Sequence, residues 1–561
     1  MKKRMYFMMG FFLFIFSLLL LRLFYFQIVK GEDLSQRVVS MRSQAIALRE
    51  FPRGEILDRH RRVLTENSGS YSLYCRPQAI SLKQGSRATG CRALATFVAS
   101  RLGDCDEDEI FELLTKASSK GSLLLKLHAD LSPAEIKLLQ AVPHPALEIV
   151  PQMKRYRQDG FMAHLIGYVS ARGDDGQAGL EKDYNQLLQK GGPRQEVLAI
   201  QDARGQAIPG INLKVRTEDG EKNALVLTLD TRVQELVEST MNKSIAKGAV
   251  VVMDVQSKEI LAMASRPTYN QYRVNEYLYD LGSPLINRAL SSYYPGSLFK
   301  IVVSTAILEE NLATEGEKFN CTGKYMFNDQ LAISCWKKEG HGELSFEQAF
   351  ANSCNPTFIR LGLRLGRARL LQYVDALHVN DKRLIGMEGQ QKESLVEIDP
   401  GEPALGNACL GQRGVMLTPL QIASLLSTVA DDGYWSSPRI VKYTLDDQGQ
   451  PVYPAKEQRE RVISEKTAHK VQAMMEKVVT EGTGKSASLP NIKIAGKTAT
   501  SQTGKMKDNG EEVLNTWFAG YLPADNPRWV IVVLAEAGRS GAENCAPVFK
   551  DIAQGMLAIT P

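Results

Sequence analysis

Residues 221–561 are predicted to form an α+β domain built on one mainly antiparallel sheet, and three observations lead there. Strand-like runs stand at both ends of this stretch. The C-terminal runs are joined by polar loops too short for crossover helices. The middle, about 290–485, has mostly helical patterning with irregular joints. Strands at both ends and helices between give a sheet flanked by helices.

In chain order, Lys2, Lys3 and Arg4 form a basic tip (residues 1–4) before an uncharged apolar run, Met5–Leu21. Apolar character resumes after Arg22 and lasts to Val29, so residues 5–29 are predicted to be a single transmembrane anchor. Arg22 and Lys30 can snorkel to the headgroups. A cleaved signal peptide is the alternative, but bulky Leu and Phe stand where small residues would mark a cleavage site. The basic tip predicts an inside N-terminus and an outside remainder. Residues 30–220 are mixed in pattern, with helical spacing at 107–118 and 132–141 and a turn-rich stretch Arg172–Gly179. They carry no catalytic cluster and read as a spacer or interaction domain.

A polar joint, Glu218–Lys222, precedes the second domain. Ala224–Leu229 reads as a strand, with Asp230 or Thr231 capping a helix to about Lys247. Gly248–Asp254 and Glu259–Ala264 read as a hairpin, and Ile492–Thr500, Thr516–Leu522 and Trp529–Ala535 as three further strands.

With 68 basic and 63 acidic residues the net charge is only +5, which gives no ground for a nucleic-acid partner. The eight cysteines include no CxxC pair, and the seven histidines are scattered, His164 and His341 reading as structural or surface residues. The cysteines therefore predict no zinc or thioredoxin-like site. Cys321 and Cys335 bracket a loop-like stretch, either as a disulfide or as two free buried thiols. Gly484-Lys485-Ser486 resembles a P-loop ending, but Val479 stands where the first Gly is required.

Three motifs carry chemistry. In Pro295-Gly296-Ser297-Leu298-Phe299-Lys300 a turn leads into an apolar helix starting near Ser297. Ser297 and Lys300 then share a face, and a lysine whose pKa is lowered by burial can activate a serine. Ser-x-x-Lys recurs at Ser244 and Ser334, so alone it decides nothing. The second motif, Ser353-Cys354-Asn355, lies 56 positions later, on a loop before Pro356. Asn355 is either a simple helix cap or, with Ser353 relaying a proton, the group that orients Lys300. The third, Gly496-Lys497-Thr498-Ala499-Thr500, lies within a predicted strand. As an edge strand it accepts an extended peptide, Lys497 facing a substrate carboxylate and the Thr500 N–H sharing an oxyanion hole with that of Ser297. The alternative is a surface strand with one lysine.

In this order and spacing the three motifs resemble the penicillin-binding protein and serine β-lactamase superfamily. Arg53-Gly54-Glu55-Ile56-Leu57-Asp58-Arg59, His164–Val169, Gly179-Leu180-Glu181, Leu417–Gln421 and Glu481–Gly484 are similar to class B penicillin-binding proteins. Three departures stand out: Ala499 where the family has Gly, Arg61 where a Gly usually follows Asp-Arg, and Arg413 after Gly411-Gln412. The resemblance implies a serine transpeptidase fold over 221–561, preceded by a non-catalytic, dimerisation-like pedestal over 30–220. It implies a peptidoglycan D,D-transpeptidase of the bacterial cytoplasmic membrane, extracytoplasmic and single-pass, acylated by β-lactam antibiotics. Catalysis falls to Ser297, Lys300, Ser353, Asn355 and Lys497, and substrate binding to Thr498, Ala499 and Thr500. The substrates are D-Ala-D-Ala stem peptides, no metal or organic cofactor is implied, and the partner is a glycosyltransferase of the shape, elongation, division and sporulation (SEDS) family. A D,D-carboxypeptidase, a β-lactamase and a non-enzymatic β-lactam sensor are the alternatives.

Overall fold

A computed structural model describes residues 2–31, 43–47, 53–65, 68–80, 86–103, 105–120, 122, 124–170, 175–192, 194–200, 214–218, 220–381, 396–455, 458–507 and 509–559. Part of the expected turn at Arg172–Gly179 lies outside the described residues.

The chain divides into two units that do not follow chain order. One comprises Met1–Pro52, Ser68–Lys154 and Pro193–Gly220; the other comprises Arg53–Asn67, Arg155–Gly192 and Glu221–Pro561. In the first, the helix Lys2–Phe24 runs on past Arg22 into a π-turn, Tyr25–Val29. The 27 residues from Lys3 to Val29 are long and apolar enough to cross a membrane. At about 1.5 Å per residue they reach roughly 40 Å, against a hydrocarbon core of about 30 Å. The same unit holds two three-stranded sheets, and helices Arg87–Ala99, Glu107–Ser119 and Pro133–Ala141. Ser132 and Glu135 form a capping box that starts the last of these.

The second unit is built on five antiparallel strands: β1 (Gly248–Asp254), β2 (Ile260–Arg266), β3 (Ala495–Met506), β4 (Glu512–Leu522) and β5 (Trp529–Glu536). Their order is β2-β1-β5-β4-β3, which leaves β3 at an edge. Alternation along the strands fills two cores. Val250, Val252, Ile531 and Val533 pack with Val237 and Met241 of the helix Thr231–Ser244 and Phe549 of Ala546–Ile559. Val251, Met253, Val532 and Leu534 face the other way, toward the fully buried helix Pro419–Ala430. Asp230 caps Thr231–Ser244 by accepting from Arg232 N.

The segments contributed from Arg53–Asn67 and Arg155–Gly192 explain the charged residues quoted there. Glu55–Leu57 pairs in parallel with Ala224–Val226. Glu181 is buried and accepts from Arg53 Nε at 2.9 Å, from Arg155 Nε, and from Tyr156 OH at 2.9 Å. Burial opposes its charge, but Arg155 and Arg53 outweigh this and hold the carboxyl below its usual range. Glu181→Ala would strand two buried guanidinium groups, so it is expected to destabilise this unit by about 3–5 kcal/mol. A lowered urea midpoint is the measurement; an unchanged one would contradict the account. Arg61 stands at φ 61, in the left-handed region that favours glycine, and its Nε donates to Tyr443 OH at 2.9 Å.

Candidate active site

Ser297 lies on a single 3-10 turn, Gly296–Leu298, and Lys300 opens the buried helix Lys300–Glu309, three residues after the expected start. The turn is held by close backbone approach: Gly296 N donates to Gly411 O at 2.9 Å. A Cβ on Gly411 would meet Gly296 O at 2.0 Å, so glycine is required there. Tyr293 pairs with Leu417 just upstream, and its hydroxyl donates to Glu536, which also takes Arg288 Nε at 2.7 Å.

The second motif comes to the first. Ser353 Oγ donates to Ser297 Oγ at 2.7 Å. Lys300 Nζ donates to Ser353 Oγ at 3.1 Å, to Ser353 O at 2.9 Å and to Asn355 Oδ1 at 2.8 Å. Lys300 thus reaches Ser297 through Ser353, and Asn355 orients the ammonium. The helix after Pro356 begins at Asn355 with Cys354 as N-cap, one residue before the expected cap. Asn355 is released for Lys300, and its Nδ2 donates to Ser334 O at 3.1 Å. Ser353 holds φ 54, a conformation costing a non-glycine residue of order 1–3 kcal/mol. Its surroundings fix it there: Ser353 N donates to Phe350 O, and Cys354 N to Ala349 O.

Full burial pushes the Lys300 ammonium down to about 8. Lys497 is also fully buried, and burial, then the charge of Lys300, push it well below the usual lysine range. It donates to Thr498 O at 3.2 Å, and its ammonium sits 5.6 Å from the Phe350 ring centroid.

A cleft of about 580 Å³ opens above this group, lined by Ser297, Ser353, Asn355, Thr498, Ala499 and Thr500. Lys497 does not line it, which corrects the expectation that it faces a substrate carboxylate directly. Lys497 is instead fully buried beneath the strand, beside Lys300 and the Phe350 ring. Thr498, at the lip, bonds Thr483 hydroxyl to hydroxyl at 2.5 Å.

The penicillin binding protein transpeptidase domain family matches residues 248–554, more than half of the chain. The chain belongs to that family. The penicillin-binding protein dimerisation domain matches residues 49–225 of this transpeptidase-family chain. Stage V sporulation protein D of Bacillus subtilis is 28% identical, over 99% of this chain and 85% of that protein. Peptidoglycan D,D-transpeptidase FtsI of Escherichia coli is 26% identical, over 96% and 89%. A solved complex of penicillin-binding protein PBP2 with MreC from Helicobacter pylori shares the fold at a TM-score of 0.67, with 21% identity over 92% of this chain and 99% of that one.

Against the family pattern, the Ala499 methyl finds its room opposite Gly296: a Cβ built on Gly296 would lie 3.4 Å from it. Sequence reasoning did not single out Trp336, Asn407, Gln502 or Ser540, which also line the cleft. Trp336 and Ser540 lie on loops, Asn407 on the helix Glu402–Cys409 and Gln502 on β3, far apart in the chain, with no spacing to announce them. All eight cysteines are free, including Cys321 and Cys335. Cys321, Cys335, His341 and Cys354 bring their ligand atoms within 4.8 Å of one another.

Proposed function

We propose that Ser297 is the nucleophile of a peptidoglycan cross-linking D,D-transpeptidase, with Lys300, Ser353, Asn355 and Lys497 as its catalytic partners. The observation that carries this is the unbroken hydroxyl–hydroxyl–amine path Ser297–Ser353–Lys300 at the floor of a cleft beside an edge strand. With Lys300 neutral, the Ser297 proton passes through Ser353 Oγ to Lys300 Nζ as Ser297 Oγ attacks the penultimate D-Ala carbonyl. The proton then goes to the departing D-Ala amine. An amine of a neighbouring stem peptide attacks the ester, cross-links the two peptides and returns Ser297. The donor peptide adds to β3 by backbone pairing, with Thr498, Ala499 and Thr500 as its substrate-binding residues. The family's β-lactam reaction follows the same acylation.

The test is product analysis. The full-length chain in detergent is given a D-Ala-D-Ala-terminated stem peptide and an acceptor amine. Amine-linked product is expected; release of D-Ala with water as sole acceptor supports a carboxypeptidase. A penicilloyl adduct that turns over rapidly supports a β-lactamase, and an adduct with no action on the peptide supports a sensor.

We further propose that the anchor sets the catalytic unit outside the cytoplasmic membrane, since the tip Lys2, Lys3 and Arg4 favours the inside. Externally added protease should digest the catalytic unit in spheroplasts; full protection would reverse the orientation. The proposed partner is a SEDS-family glycosyltransferase, because nothing in residues 30–220 reads as a polymerase of glycan strands. Exchanging the anchor for an unrelated spanning helix is expected to abolish co-purification with that partner; unaffected co-purification would sink the idea.

A further inference from the structure

Cross-linking takes two peptides, and the cleft has two walls. One wall is β3 with residues 540–542, where the donor peptide pairs. The other carries Ile333, Ser334, Trp336, Asn407, Leu410 and Gln412. It is built from elements outside the five-stranded sheet: the hairpin of Lys324–Met326 and Ala332–Ser334, and the helix Glu402–Cys409 with the turn after it. Both rest on the helix Asn355–Leu365. A Cβ on Gly406 would meet Phe327 Cζ at 2.7 Å and Ile359 Cγ2 at 3.3 Å, so the hairpin and both helices close on one another there. Asn355 Nδ2 donates to Ser334 O, and Gly411 backs onto Gly296, which registers this wall to the nucleophile.

We propose that this second wall is the acceptor site, with the Trp336 indole packing the alkyl side chain that carries the attacking amine, and the Asn407 and Gln412 carboxamides holding the acceptor backbone.

The indole is exposed and fixed at once. Trp336 is 59% exposed. Its Nε1 donates to Asn352 O at 2.9 Å, and its ring stands edge-on to His341 at 5.3 Å. With Ile333 and Leu410 on the same wall, it offers apolar area to a ligand at little ordering cost. The carboxamides have bonding capacity to spare. Asn407 Nδ2 donates to Pro403 O at 3.1 Å, which fixes the side chain and leaves its Oδ1 for a peptide N–H. The Gln412 side chain has no hydrogen-bond partner among the described residues and can both give and accept. Charge points the same way. Among the described residues, no Asp, Glu, Lys, Arg or His side chain lines the cleft. No carboxylate is therefore there to hold the incoming amine as an ammonium, and an apolar wall favours its neutral, nucleophilic form.

The step balances. The neutral amine nitrogen bonds to the acyl carbon, the ester C–O bond to Ser297 breaks, and the amine's proton passes through Lys300 and Ser353 to Ser297 Oγ. Trp336, Asn407 and Gln412 touch the acceptor away from the reacting atoms, so they set acceptor affinity rather than the rate of acylation. This inference rests on the transpeptidase reading of the site.

The test separates the two half-reactions in the full-length chain in detergent. The donor is a stem peptide ending in D-Ala-D-Ala, and the acceptor is a stem peptide with a free primary amine on a lysine-type side chain. Amine-linked product is measured against acceptor concentration, while acylation by a fluorescent penicillin reports the donor half and the fold. Trp336→Ala is expected to raise the acceptor KM about tenfold, and Gln412→Ala about 2–10-fold. Acylation should shift by less than about threefold in either, since the acylating step does not use the acceptor. Shortening the acceptor's alkyl side chain by two methylenes should weaken the wild type about tenfold and Trp336→Ala far less, a coupling that a purely structural role does not produce. Trp336→Phe, which keeps a flat ring, should recover most of the loss. An acceptor KM unmoved in both Trp336→Ala and Gln412→Ala, with cross-linking intact, overturns the acceptor site. Acylation falling in step with cross-linking in both variants also overturns it, because the wall then serves the donor. A wild type that cross-links at no acceptor concentration and releases D-Ala to water alone overturns the transpeptidase reading, and this site with it.

Discussion

The Ser297→Ala chain is expected to form no covalent adduct with a fluorescent penicillin under conditions that label the wild type completely. Ser297 opens on the cleft. Ser353 also lines the cleft, but its side chain is buried, its backbone is strained at φ 54, and it is tied to Lys300. It therefore does not substitute as nucleophile. Loss of a nucleophile acting within a coupled unit costs on the order of 10⁶-fold in rate, beyond what gel fluorescence or intact mass detects. The fold should be untouched, because Ser353 keeps Lys300 as a partner when the Ser297 hydroxyl goes. An adduct that persists, mapped to another residue, would move the nucleophile elsewhere.

Lys300→Met carries the second large effect. Methionine is flexible, apolar and close in volume, so it suits a fully buried site without creating a cavity. What it removes is the proton acceptor of the relay. Acylation is expected to slow by about 10²–10⁴-fold, the usual worth of a positioned base, with the chain still folded but its melting lowered, because Ser353 O and Asn355 Oδ1 lose their donor. The wild type supplies a matching pH signature. Burial holds Lys300 at about 8. The neutral amine is the active form, so the second-order acylation rate should rise about tenfold per pH unit below that value and level off above it. A profile flat from pH 6 to 9, or Lys300→Met acylating at the wild-type rate, would remove Lys300 from the role of base.

The chemistry was legible in the sequence because it is encoded in short motifs with local geometry. Ser297 and Lys300 are one turn apart, and Ser353 and Asn355 share one loop, so their types and spacing foretold their meeting. The apolar and small-residue pattern also placed the third motif on a strand, while its position at the sheet edge is known from the topology alone. It did not tell that Lys497 is fully buried while Ala499, two residues on, lines the cleft, because a period of two says which residues share a side and not how deep each one lies. The cysteine–histidine cluster was invisible for a different reason. Cys321, Cys335, His341 and Cys354 meet only after two hairpins and a helix start have folded, so no local pair announces them. Cleft residues such as Trp336 and Gln502 were hidden likewise, being gathered by tertiary structure from separate loops and strands.

The mixed chain order of the second unit has a consequence for synthesis. Asp58 Oδ2 accepts from the Thr231 hydroxyl at 2.6 Å, a partner 173 positions later. Chains elongate at about 5–20 residues per second, so the Arg53–Asn67 segment waits some ten to thirty seconds for the strand and helix it joins. During that wait the Ile56 strand lacks its parallel neighbour while Ser68–Lys154, Arg155–Gly192 and Pro193–Gly220 are being made. The parallel pairing of Glu55–Leu57 with Ala224–Val226 therefore closes only after the residues between them have been made. A catalytic fragment begun at residue 221 would spare itself the wait, but would leave Ala224–Leu227 without its parallel neighbour.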